Sequence, residues 1–129
     1  MNVSKPTPAF SDDRGTITDI LYKEPVDAIA VIESRKGVVR GNHYHKDTIQ
    51  WTLLHSGRLK YFCQVGDGPI ETRVIEPGDL IVSAAMEKHA LLAMEDSVFY
   101  VFTRGPRGGQ DYERDTYRLE VPICPPGQM

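Results

Sequence analysis

Nine short stretches of this chain alternate apolar and polar residues with a period of two, and none sustains a helical period beyond a turn or two. The candidate strands are Thr16–Tyr22, Asp27–Ser34, Val38–Tyr44, Ile49–His55, Leu59–Val65, Glu71–Ile75, Leu80–Ser83, Ala90–Met94 and Val98–Thr103. Asp13-Arg14-Gly15, Arg35-Lys36-Gly37, His55-Ser56-Gly57, Gly66-Asp67-Gly68-Pro69 and Glu76-Pro77-Gly78-Asp79 supply the residues that tight reversals need. Many short strands that each bury one face close into a jelly roll or barrel, so an all-β fold is expected. Its core spans about residues 16–103; Arg104 to Glu113 reads as a loop, 104–129 as loop and tail, and the end beyond Pro122 as frayed. At 129 residues, 40% hydrophobic and 26% charged, the chain makes one domain, 1–129.

One strand of this set carries chemistry. In Gly37-Val38-Val39-Arg40-Gly41-Asn42-His43-Tyr44-His45, the two histidines are alternate residues, so they share a face, roughly 6.5 Å apart along the backbone. A third imidazole, His89, and the side-chain carbonyl of Gln50 complete a donor set for a divalent ion such as zinc, nickel, iron, manganese or copper. With His43 and His45 inward, strict alternation puts Val39 and Gly41 inward, and Asn42 and Tyr44 outward. An odd offset separates His45 from Gln50, so the Lys46-Asp47-Thr48 turn must reset the phase for Gln50 to look in. Thr52 and Leu54 then follow it, while Trp51 and Leu53 face a second apolar layer. Apolar residues on both faces, with Ile29 and Val31 nearby, imply cover from the N-terminal strands or a second subunit, and a homodimer is expected. His55 reads as an exposed turn residue, and Arg104 to Gly109 as a flexible connection rather than a phosphate grip.

A net charge of -3 leaves no basic field for phosphate backbones, so nucleic acid is excluded as a partner and any anion must be met by local arginines and lysines. Cys63 and Cys124 have no paired spacing. No apolar run approaches membrane-spanning length, and Met1 to Pro6 lacks a signal core, so the expected location is the cytoplasm, with no membrane partner.

Gly37, His43, His45, Gln50 and Gly57 resemble the first motif of the cupins, with Gln50 where that motif has an acidic residue. Gly78 and His89 resemble the second motif, with Ala84 and Met86 where it has Pro and Gly. The resemblance implies a double-stranded β-helix, a jelly-roll barrel. A narrower likeness lies in Phe10-Ser11-Asp12-Asp13-Arg14-Gly15 and Val39-Arg40-Gly41-Asn42-His43. These are similar to the F-x-D-x-R-G and V-x-R-G-x-H segments of the nucleotide-sugar 3,5-epimerases. Arg40 to Lys46 also resembles the sugar 3,4-ketoisomerases, and Arg40 to His45 the metal-bearing cupin domain of capsular-sugar reductases.

The epimerase resemblance implies His43 as general base, Tyr100 as acid and Arg40 beside a nucleotide diphosphate; Lys60 is the second cation assigned to substrate. A 4-keto group acidifies neighbouring protons, which a neutral imidazole can take near neutral pH. The epimerases have Gln where this chain has His45. A histidine that gives a lone pair to a metal cannot use it as a base, so His45 favours the metal role, with His43, His45, Gln50 and His89 as ligands. The expected function is that of a metal-binding sugar isomerase or epimerase acting on a nucleotide-linked or phosphorylated keto sugar. The alternatives are a non-catalytic cupin that senses a sugar or metal, and a metal-dependent dioxygenase.

Overall fold

The computed structural model describes residues 1–106 and 113–125, so most of the loop expected from Arg104 to Glu113 lies outside the described residues. Twelve strands follow in order: β1 (Asn2–Ser4), β2 (Phe10–Asp12), β3 (Gly15–Ile17), β4 (Ala28–Ser34), β5 (Val39–Tyr44), β6 (Ile49–Ser56), β7 (Leu59–Gln64), β8 (Glu71–Ile75), β9 (Leu80–Ser83), β10 (Lys88–Ala93), β11 (Ser97–Arg104) and β12 (Tyr117–Arg118). They form two five-stranded antiparallel sheets, ordered β1-β9-β6-β11-β4 and β12-β5-β10-β7-β8, with a separate β2-β3 hairpin. The expected strands from Asp27 to Thr103 are all present, within about two residues at each end. Thr16–Tyr22 is not one strand: only Gly15–Ile17 pairs, with Phe10–Asp12. Lys23, at φ +56°, and Pro25 cannot continue a ladder.

Alternation sorts each central strand between two layers. On β7, Leu59, Tyr61 and Cys63 face the opposite sheet and join Leu54, Ile75, Ile81, Phe99 and Val101 in the main core. Phe62 faces outward, as do Ala90 and Leu92 of β10, and these three form a second cluster with Ile123 and Cys124. Of the end expected to fray, Ile123 and Cys124 are therefore part of the fold, and 126–129 lie outside the described residues. Asn42 straps it down: its Oδ1 accepts from the backbone amides of Ile123 (3.1 Å) and Cys124 (3.0 Å), and its Nδ2 donates to the Cys124 carbonyl (3.0 Å). Ile123 is 7% and Cys124 0% exposed. The apolar pair between Pro122 and Pro125 has an uncovered sheet face to fill, which sequence periodicity does not reveal.

Among the described residues the outer face of the other sheet is covered only at its β6 end, where Trp51 is 7% exposed and the Arg104 guanidinium lies 5.3 Å from its ring centroid. Ile29 and Val31 of β4 are 65% and 59% exposed. They pair across with Phe102 and Tyr100 of β11, which in turn pair with Trp51 and Leu53 of β6, making one continuous outward row. Among the described residues, no helix is long and apolar enough to cross a membrane.

Ile123→Ala should lower unfolding free energy by about 2–5 kcal/mol, because it opens a cavity under the strap. Chemical denaturation measures this, and a tail that contributes nothing would leave the midpoint unchanged.

Candidate metal and ligand centre

A cavity of about 650 Å³ lies between the two sheets, and its wall brings together His43, His89, Gln50, Arg40, Tyr61 and Ser83. The phase of β5 decides this. Arg40 and His43 are an odd number of residues apart and would occupy opposite faces of a regular strand. A bulge intervenes: Ala90 of β10 pairs with Gly41 and His89 with His43, so Asn42 is the extra residue. Gly41 (φ +94°) and Asn42 (φ +56°) both adopt positive φ. A Cβ at Gly41 would stand 2.8 Å from the His89 carbonyl oxygen, so glycine alone lets the two strands meet there. Arg40 therefore turns inward. Val39, expected in the inward row, packs against the Phe62 cluster, though it also touches the cavity.

The three histidines converge as expected. One ring nitrogen from each of His43, His45 and His89 lies within 4.8 Å of the others, and all three residues are buried. Their ring centroids are 4.7 to 5.3 Å apart. Two of the rings have their tautomers fixed from behind. His45 Nδ1 lies 2.7 Å from the Asp115 carbonyl and His89 Nδ1 3.2 Å from the Glu87 carbonyl. A carbonyl only accepts, so each Nδ1 carries the proton and each Nε2 keeps its lone pair. His45 Nε2 is buried with no hydrogen-bond partner. A lone pair taken out of water and left unused is costly unless a ligand takes it, and these neutral nitrogen donors fit a divalent ion such as zinc, nickel, iron or manganese. Gln50 stands in the same wall, its inward phase reset by the 46–48 turn as parity required, and Thr52 follows it.

Asp115 holds that turn. Its carboxylate accepts from the Lys46 amide (3.0 Å), the Asp47 amide (2.8 Å) and the Thr48 hydroxyl (2.7 Å), while its backbone carbonyl holds His45. Burial pushes its pKa up, but these hydrogen bonds outweigh burial and hold it below the usual carboxylate value. Arg118, on β12 opposite His43, also lines the cavity and is held by Glu113 through two bonds of 2.8 and 2.9 Å. Asp115 and Arg118 were not found from sequence, because the segment carrying them reads as loop; the alternation of Tyr117, Arg118 and Leu119 is its one strand signal.

Two assigned residues lie elsewhere. Tyr100 points to the outer face, its ring 5.9 Å from that of the exposed His55, while Phe99 and Val101 face the cavity. Both rows of β11 are largely apolar, so parity alone does not choose which of them faces the cavity. Lys60 is also outside, its ammonium 5.3 Å from the Phe62 ring centroid, because Leu59 and Tyr61 take the inward row. Arg40 does reach the cavity. Its Nε donates to Ser34 Oγ (2.7 Å) and its Nη2 to the Glu33 carbonyl (2.8 Å), both neutral acceptors that leave its charge available to an anion. Tyr61, Ser83 and Glu87, also unassigned from sequence, form a buried group. The Tyr61 hydroxyl donates to Glu87 Oε1 at 2.7 Å and lies 3.0 Å from Ser83 Oγ.

No protein-family model and no curated protein sequence matches the chain. Solved structures do. A sugar 3,4-ketoisomerase from Thermoanaerobacterium thermosaccharolyticum, in complex with TDP, superposes with a TM-score of 0.75 at 17% identity, covering 92% of this chain and 88% of that one. The dTDP-4-dehydrorhamnose 3,5-epimerase from Sulfolobus tokodaii matches with a TM-score of 0.69 at 21% identity, covering 83% and 71%. The fold is that of the cupins. The capsular polysaccharide assembling protein CapF from Staphylococcus aureus also matches, with a TM-score of 0.65 at 24% identity, covering 85% of this chain and 33% of that one. The ketoisomerase and the epimerase are of the two sugar-enzyme groups that the segment from Val39 to Lys46 resembles.

His89 makes the site sensitive to pH. Burial, then the nearby His45, lowers its pKa to about 4 against 6.5 for the free side chain. The unfolded chain therefore binds this proton first as pH falls. Stability from the neutral ring is complete above about 6.5 and is lost as pH drops toward about 4, by roughly 3 kcal/mol. Denaturation of chelator-treated protein between pH 7 and 4 should show this fall, and His89→Gln should flatten it. A wild-type curve flat across that window contradicts it.

Proposed function

We propose that this chain is a metal-binding cupin that isomerises or epimerises a nucleotide-linked or phosphorylated keto sugar by proton transfer next to a carbonyl. The observation that carries the metal part is the buried, unpartnered Nε2 of His45 within a three-histidine cluster. His43, His45 and His89 would hold the ion, with Gln50 as fourth ligand. When bound, it supplies Lewis-acid stabilisation of charge developing on a carbonyl oxygen. Arg40 and Arg118 meet the anionic part of the substrate, and the apolar Ile32, Leu91 and Phe99 limit water in the cavity. The sugar part rests on the fold shared with epimerases and ketoisomerases and on the Arg40 to His45 segment. Buried free Cys63 and Cys124 suit a reducing cytoplasm.

The position of Tyr100 favours a second reading. With the acid implied by the epimerase resemblance outside the cavity, the same centre also suits a cupin that binds its ligand without turnover. A variant of the ketoisomerase is known in complex with TDP-4-keto-6-deoxyglucose, which makes that compound a suitable probe. Purified protein should contain about one metal ion per chain, lost in His45→Ala and His89→Ala, and Gln50→Glu should hold metal more tightly because a carboxylate offsets ionic charge. In deuterium oxide the probe should gain label next to its carbonyl. Protein that refuses metal sinks the centre; binding without exchange leaves the non-catalytic reading.

We further propose a homodimer formed by two copies of the outward row Ile29, Val31, Tyr100, Phe102 and Leu53, since its apolar residues continue across three strands without a cover in the chain's own described residues. Sedimentation at micromolar concentration should show a dimer that Val31→Lys dissociates. A monomeric wild type would rule it out.

A further inference from the structure

The hydrogen bonds around Tyr61 have a direction. A phenol has one proton, and that of Tyr61 goes to the Glu87 carboxylate, 2.7 Å away. The contact of 3.0 Å between Tyr61 and Ser83 must then run the other way, with the Ser83 hydroxyl donating. Serine also has one proton. Once it is spent on Tyr61, Ser83 Oγ offers the cavity only lone pairs. All three side chains are buried, at 4% exposure for Ser83, 1% for Tyr61 and 8% for Glu87, so water does not scramble the order. Ser83 pairs with Gln50 across β9 and β6, which sets this acceptor beside the histidine cluster.

We propose that Ser83 is a specificity-determining acceptor that selects a ligand hydroxyl, its direction enforced by the one-way chain from Ser83 through Tyr61 to Glu87. This deepens the reading of the cavity as a site for a small hydroxylated carbonyl compound and rests on that reading. A ligand that presents O–H at this point completes the chain. One that presents an ether or carbonyl oxygen sets acceptor against acceptor, and one that presents C–H leaves Ser83 unsatisfied. Tyr61 and Glu87 act through Ser83 and are positioning residues.

The test measures two sets of probes by calorimetry on the full chain. The first is TDP-4-keto-6-deoxyglucose against its 2-deoxy and 3-deoxy analogues; the second is glycolate against methoxyacetate, anions of equal charge that differ in the donor. Wild type should favour the hydroxylated member by about tenfold, the worth of one neutral hydrogen bond. Ser83→Ala should abolish the preference. Tyr61→Phe should do more: it frees the Ser83 proton, so methoxyacetate should bind more tightly than to wild type, a gain that damaged packing does not produce. No hydroxyl preference in either set, or a preference that survives Ser83→Ala, overturns the proposal. Glycolate preference without nucleotide-sugar binding removes the sugar reading and leaves the acceptor; sugar binding with no preference does the reverse.

Discussion

The bulge at Gly41 and Asn42 fixes three things that would otherwise be unrelated. It turns Arg40 and His43 to the same side of β5, brings β5 against the His89 carbonyl, and points the Asn42 amide outward where it holds the backbone of Ile123 and Cys124. Each depends on backbone at positive φ, costly for most residues and least so for glycine and asparagine. The strap and the site therefore share one local conformation. The tail that covers Phe62 and Leu92 on the outside stabilises the strand that carries the histidines on the inside.

The rings are held from behind with unequal partners. His45 leans on the carbonyl of Asp115, a residue whose carboxylate also clasps the 46–48 turn, so the ring and the turn that sets the phase of Gln50 move as one piece. His89 leans on the carbonyl of Glu87, whose side chain takes the Tyr61 proton. Second partners of this kind fix tautomer and aim, and their loss weakens a centre even when the ligands remain. Asp115 and Glu87 thus each couple a ring to a different wall of the cavity.

Much of this was legible. Period-two alternation placed β4 to β11, the eight longer strands of the two sheets, while β1 and β12, of three and two residues, are too short to show a period; the histidine spacing identified the converging triad. Parity failed where the strand is irregular or ambiguous. Val39 and Arg40 exchange faces because a bulge is invisible to a pattern of two. Tyr100 fell on the outside because both rows of β11 are largely apolar and burial of Phe99 and Val101 decides between them. The tail was unreadable because Ile123 and Cys124 are only two apolar residues among prolines, and the surface they fill, Phe62, Ala90 and Leu92, lies far back in the chain. Met86 shows a subtler case: it stands where the cupin motif has glycine, and it keeps the positive φ, at +69°, that glycine would adopt without strain. Identity changed there while conformation did not.

Charge gives the cavity its character. Among the described residues Arg40 donates to two neutral acceptors, His89 is held neutral by burial, and Glu87, the carboxylate bonded into the cavity wall, is engaged by Tyr61. In the proposed centre, three imidazole donors and an amide would leave the full charge of a divalent ion unbalanced, and in a medium of low dielectric that charge would need an anion. A carboxylate at position 50 would supply it from the protein; glutamine leaves it to the ligand. On the proposed metal-binding reading, glutamine at this position would loosen the hold on metal and raise selectivity for an anionic ligand, whether enolate, carboxylate or phosphate.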